Sequence, residues 1–121
     1  MFGGIKIDAA DRVFSQYIRT RAGWSCERCG KHYEPPTSAL QCSHFVGRRN
    51  ENTRFSDENC SALCYGCHGY FTANPNEHRE WMLKKLGKKR FDALIVAGHI
   101  MKKKDRKLSL IIAKELLKNL E

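Results

Sequence analysis

Val13, Phe14, Tyr17 and Ile18 recur at helical spacing behind Asp8, a residue able to cap a first turn. The pattern predicts a helix that runs from Arg12 through Arg21 and stops at Gly23. Glu34-Pro35-Pro36-Thr37-Ser38 breaks the periodicity and reads as an extended turn. Residues 39–46 then read as a short strand, 47–52 as a polar loop and 61–63 as a shorter partner strand. A helix is predicted over 65–71, ending before Asn74-Pro75, with further helices over 77–86, 89–96 and 107–120. The last carries Leu108, Ile111, Ile112, Leu116 and Leu120 on one face. There is no internal repeat. The order predicts one α+β domain: an N-terminal helix (1–23), a ββα core (24–74) and a helical extension (75–121).

Composition narrows the partners. The chain has 121 residues, which suits a single core, and 22 Lys+Arg against 13 Asp+Glu leave a net charge of +9. A sequence pI of 9.5 suits a polyanion. The 41% apolar content, with aromatics and cysteines, argues against disorder. No apolar run approaches the ~20 residues of a bilayer span, and Met1-Phe2-Gly3-Gly4 opens no secretory leader. A non-membrane, cytoplasmic protein is expected.

The six cysteines carry the first chemistry. Cys26-Glu27-Arg28-Cys29 and Cys64-Tyr65-Gly66-Cys67 are two C-x-x-C pairs separated by 34 residues. Together they offer four thiolates, the complement of a tetrahedral structural Zn²⁺ site, and Gly30 suits a tight knuckle. Redox cysteines or buried thiols are the other readings. Cys42 and Cys60 remain, and are expected to pack as small apolar residues.

A second pattern lies between the knuckles. His44 sits on the first predicted strand, Asn59 precedes the second, and His68 follows Cys67 directly. This order, His…Asn…C-x-x-C-His, resembles the HNH (ββα-metal) nuclease motif. Arg54-Phe55-x-x-x-Asn59, the second knuckle, Glu77-x-Arg79 and Leu83-x-x-x-Leu86-Gly87 look like the phage NinG/Rap recombination nucleases. The resemblance covers roughly residues 24–120 and is strongest over 40–87. It implies a zinc-braced HNH core and a divalent-metal DNA endonuclease acting on Holliday junctions or D-loops in a bacterial or phage-infected host cell. By the same resemblance His44 is the general base, Asn59 orients its ring or strand, and His68 holds a catalytic Mg²⁺ or Mn²⁺. The chemistry is coherent: phosphodiester hydrolysis needs a base near neutrality and charge neutralisation at the phosphate. HNH enzymes usually place Asp or His before the base, whereas here that position is Ser43. Gln41 shares a strand face with Ser43 and offers a carbonyl oxygen, so Gln41, Ser43 and His68 form the expected divalent set.

Other residues read more plainly. His78 is either a further ligand or a solvated helix residue, His32 could replace a cysteine ligand, and His99 carries no signal. Arg48, Arg49 and Arg54 beside His44 are expected to meet DNA phosphates, as are Lys84, Lys85, Lys88 and Lys89 in a stretch with ten cations between 84 and 107. A solvated helix face is the plain reading of the lysines. Trp24, Trp81 and Tyr17 are expected in the core rather than stacked on bases. The last helix either forms a homodimer contact or packs on the chain's own core. The alternative function is a zinc-braced DNA-binding or recombination accessory module without catalysis.

Overall fold

The computed structural model describes residues 6–120. Met1-Phe2-Gly3-Gly4, read above for a leader, lies outside the described residues. Helix α1 (Ala9–Arg21) starts on the expected cap: Asp8 accepts from the Asp11 N–H while Asp11 accepts from the Asp8 N–H, at 3.1 and 3.0 Å. The chain reverses through Gly23 and Trp24, both in the left-handed region at φ +64° and +58°. A Trp is unusual there. It is held by the Trp24 N–H bond to Arg19 O (2.9 Å), while the Arg19 guanidinium covers its ring at 4.8 Å.

Strand β1 (Leu40–His44) pairs antiparallel with β2 (Cys60–Cys64), with Leu40 opposite Cys64, Cys42 opposite Ala62 and His44 opposite Cys60. The period of two places Leu40, Cys42, His44, Cys60, Ala62 and Cys64 on one face. Gln41, Ser43, Ser61 and Leu63 lie on the other. All five residues of β2 are buried, since α1 packs on the ribbon and α3 (Tyr65–Ala73) and α4 (Pro75–Leu86) reach the Gln41 face. The first knuckle covers the outer side of β2: Glu27 N–H donates to Ala62 O and its carboxylate accepts from Ala62 N–H, at 2.8 and 2.6 Å.

The polar loop after β1 contains an unexpected short helix, α2 (Glu51–Arg54), capped by Asn50. Helix α5 (Lys88–Ala97) follows α4 across Gly87 (φ +80°), and α6 (Arg106–Lys118) returns to pack along α1. Phe14, Ile18, Leu40, Leu63, Phe71 and Ala113 belong to the main core, while Met82, Leu86, Phe91 and Leu94 form a second one. Trp81 touches both, so the helical extension is continuous with the ribbon's packing. Tyr17 is buried, and Trp24 and Trp81 pack against the core as expected. On α6, Leu116 and Leu117 face the core, whereas Leu108, Ile111 and Ile112 are 49–63% exposed, as is Leu120 just beyond it at 42%.

Charge ties α1, α2 and α6 together. Arg54, only 4% exposed, makes a fork with Asp11 (Nε–Oδ1 2.8 Å, Nη2–Oδ2 2.6 Å) and donates to Lys6 O and Arg48 O. Arg106 pairs with Glu51 at 2.8 Å and with Asp8. Burial works to raise the Asp11 pKa, but hydrogen bonds from Arg54 and the Asp8 backbone, with the Arg54 charge, outweigh it and hold the carboxyl at about 2. Because that value lies below the ordinary 3.8, the pair's contribution is complete above pH 4 and fades as the pH falls toward 2. Asp11→Asn is expected to cost about 3–5 kcal/mol at pH 6, since it leaves Arg54 buried and unpaired. Urea unfolding should show this gap narrowing from pH 4 to pH 2; a gap independent of pH would contradict the assignment.

Candidate metal centre and nucleic-acid interface

The two knuckles meet. The Sγ atoms of Cys26, Cys29, Cys64 and Cys67 lie within 4.8 Å of one another, although the pairs come from opposite ends of the ribbon sequence. Each knuckle is shaped by its own N–H···S bond, Cys29 N to Cys26 Sγ at 3.5 Å and Cys67 N to Cys64 Sγ at 3.4 Å. Cys64 ends β2 and caps α3, so one residue serves strand, helix and cluster. Arg28 donates to Cys67 Sγ and lies over the Tyr70 ring at 4.4 Å. Four sulfurs in this arrangement fit a structural Zn²⁺ ion. His32 does not compete for it: the ring faces Ser25 and Glu34.

The ribbon carries the second site. The His44 Nε2 atom lies 2.9 Å from the Arg54 carbonyl, which can only accept. In the neutral ring Nε2 therefore holds the proton and Nδ1 the lone pair. Burial, with the Arg48 guanidinium beside it, pulls the His44 pKa down to about 4. Asn59 is fully buried, and its side-chain hydrogen bonds go to Val46 and Thr53 rather than to His44. Its Oδ1 accepts from Val46 N–H (2.7 Å) and its Nδ2 donates to Val46 O and Thr53 O (2.9 and 3.1 Å). It thus closes the loop that presents the Arg54 carbonyl. That loop is also latched to α5, where Asn52 Nδ2 donates to Ala97 O at 3.0 Å.

His68 lies across the other face of the ribbon, with Nδ1 2.6 Å from Gln41 Oε1. Burial and the Arg48 charge lower its pKa. Ser43 is buried on the same strand face. These three residues offer one imidazole, one amide oxygen and one hydroxyl. Mg²⁺ is normally held through one or two carboxylates, so this set alone is a poor fit to a resident hard cation. His78 is half-buried rather than a solvated helix residue. It stacks on Phe71 (4.5 Å, 4°) with its edge on Phe45, and burial takes its pKa to about 4.

Two cavities meet at Arg48. One, of about 370 Å³, runs beside β1 and is lined by Gln41, Cys42, Arg48 and His68 together with Arg19 and Leu40. The other, of about 390 Å³, is lined by Lys6, Arg48, Arg49, Arg54, Lys104 and Arg106 against Asp8 and Glu51. Arg48 borders both, and its Nε is buried without an acceptor among the described residues. An anionic oxygen would satisfy it.

The expected phosphate contacts divide. Arg48 and Arg49 line the basic cavity. Arg54 lines it too, but its donors are spent on Asp11 and two carbonyls, so its role is to brace the loop. Lys85 turns inward to Ser61 Oγ (2.7 Å) and Glu27 (2.8 Å). Lys88 pairs with Asp92 one turn away, while Lys84 and Lys89 are exposed. Lys6 joins the cavity from the start of the chain, and Lys104 and Arg106 from the far end of the basic stretch. Cys42 and Cys60 are buried as expected, yet they stand with His44 as a second cluster within 4.8 Å. Hydrogen bonding from Cys60, with the Arg48, Arg19 and Arg21 charges, lowers the Cys42 pKa despite its burial. The alternation Cys42-x-His44 is the signal that, paired with a hairpin register, points to it.

The family model described as Bacteriophage Lambda NinG protein matches residues 5–120. No curated protein and no solved structure gives a match. Among the described residues no helix is long and apolar enough to cross a membrane. Elemental analysis of the purified chain should find zinc, and Cys64→Ser or Cys67→Ser should lose one equivalent and lower the melting temperature. A chain that folds and melts identically without zinc would contradict the brace.

Proposed function

The chain belongs to the bacteriophage Lambda NinG family, and from that premise we propose that it is an HNH-type DNA endonuclease that hydrolyses phosphodiester bonds in branched recombination intermediates such as Holliday junctions or D-loops. The observation that carries the reading is the state of His44. Its Nε2 is fixed on the Arg54 carbonyl and its pKa lies near 4, so at neutral pH the ring is uncharged with a lone pair on Nδ1. That is the form a general base requires, and it is lost only as the pH falls toward 4.

In this reading His44 Nδ1 takes a proton from water as the water oxygen attacks phosphorus. The P–O bond to the leaving strand breaks, the leaving oxygen takes a proton from solvent water, and His44 returns its proton to solvent. Arg48, with its unpartnered Nε, neutralises the phosphate. Asn59 is a positioning residue that holds the loop behind the base. A cavity lined by cations would meet the phosphate backbone through charge rather than bases, which suits recognition of shape. A catalytic Mg²⁺ or Mn²⁺ remains part of the reading, although His68, Gln41 and Ser43, on the ribbon face opposite His44, do not by themselves fit it.

Labelled linear duplex, nicked duplex, D-loop and four-way junction incubated with Mg²⁺ or Mn²⁺ test the proposal. The branched substrates should be cut, and His44→Ala should lose cleavage by about 100-fold or more while still binding the junction. Cleavage retained by that variant would remove His44 as the base. The second reading, a DNA-binding or accessory module without catalysis, is favoured by one observation, the missing carboxylate at the His68–Gln41 position. It predicts junction binding with no cleavage by the native chain.

Cutting two strands calls for two sites, and the exposed row Leu108, Ile111 and Ile112 on α6 supports a two-fold dimer. Sedimentation should then report a dimer that Ile111→Glu returns to monomer; a native monomer at every concentration would contradict it.

A further inference from the structure

We infer that Cys42, His44 and Cys60 form a second metal site, distinct from the four-cysteine cluster and suited to Zn²⁺. The register of the ribbon builds it. Cys42 lies two residues before His44 on the same face, and Cys60 lies opposite His44 on the partner strand. Both Sγ atoms and a His44 ring nitrogen fall within 4.8 Å of one another. Two sulfurs bonded to zinc at about 2.3 Å stand at most about 4.6 Å apart, so closing on an ion needs only a small inward shift.

The surroundings agree with a ligand role. A metal-bound histidine usually gives its other N–H to a carbonyl or carboxylate, and His44 Nε2 already rests on the Arg54 carbonyl at 2.9 Å. Nδ1 is the nitrogen left for the ion. Cys42 lines the 370 Å³ cavity beside β1, which supplies a route from solvent. Two thiolates neutralise a divalent cation beside the positive charges of Arg19, Arg21 and Arg48. Thiolate donors select Zn²⁺ over Mg²⁺ or Mn²⁺, and three protein ligands leave a fourth position open.

Binding at this site does not depend on the nuclease reading. Its consequence for cleavage does: the ion would occupy Nδ1, the same lone pair that His44 needs as a base. A filled site and a working base exclude each other.

The full-length chain, purified with zinc and passed over a weak chelating resin, provides the test. The inference expects two equivalents of zinc in the native protein, one in Cys42→Ala or Cys60→Ala, and one in Cys64→Ser. If these variants fail to fold, zinc X-ray absorption of the native chain decides. A shell mixing sulfur with imidazole nitrogen supports the site, whereas one equivalent with sulfur neighbours only overturns it. An intact mass lower by two hydrogens, from a Cys42–Cys60 disulfide, overturns it as well. Where the native chain cleaves DNA, added Zn²⁺ should slow it as the second equivalent binds. Loss of all cleavage under every metal condition, with two equivalents still present, would remove the nuclease reading and leave the site standing.

Discussion

The structure depends on one local constraint, the meeting of four sulfurs from two knuckles set 34 residues apart. A two-stranded ribbon is marginal alone in water, and these strands are five residues each. The cluster closes the long excursion between them. Cys64 ends β2 and begins α3, and Glu27 docks the first knuckle along β2. With that side covered, β1 is left as the strand beside the cavity. Residues projecting from β1 therefore reach both faces of a supported edge.

The charge distribution is organised inside out. A basic chain would ordinarily place its arginines in water, but Arg54 is sunk into a fork with Asp11, and Arg106 joins Glu51 and Asp8. These pairs fix the loop whose carbonyl orients His44, and Asn59 closes the same loop from beneath. Buried ions are costly unless every partner is present. The reward is positional: the backbone around His44 is held by directional bonds. Arg48 is the exception, since its Nε has no acceptor among the described residues and it borders both cavities.

Much of this was legible in the residues. The Asp8 cap, the knuckles, both strands and every long helix follow from short-range patterns, because capping, C-x-x-C spacing and apolar periodicity act within a few residues. Helix α2 was not, since a four-residue helix capped by Asn50 has too little apolar pattern to announce itself. The roles of Arg54 and Lys85 were not legible either, because charge runs do not reveal which cation meets a buried carboxylate. His78 looked polar and instead stacks on Phe71 and meets Phe45 edge to face. The union of Cys42, His44 and Cys60 needed the register of the hairpin, which couples residues 16 positions apart.

The proposed function requires a DNA phosphate to come to Arg48 and His44 at the end of β1. A crystal structure of the His44→Ala variant bound to a four-way junction tests it most directly. The account predicts a backbone phosphate oxygen within hydrogen-bond distance of Arg48 Nε, with the strand running through the basic cavity toward residue 44. DNA lying instead across the exposed lysines of α4 and α5, with no phosphate near Arg48, would contradict it.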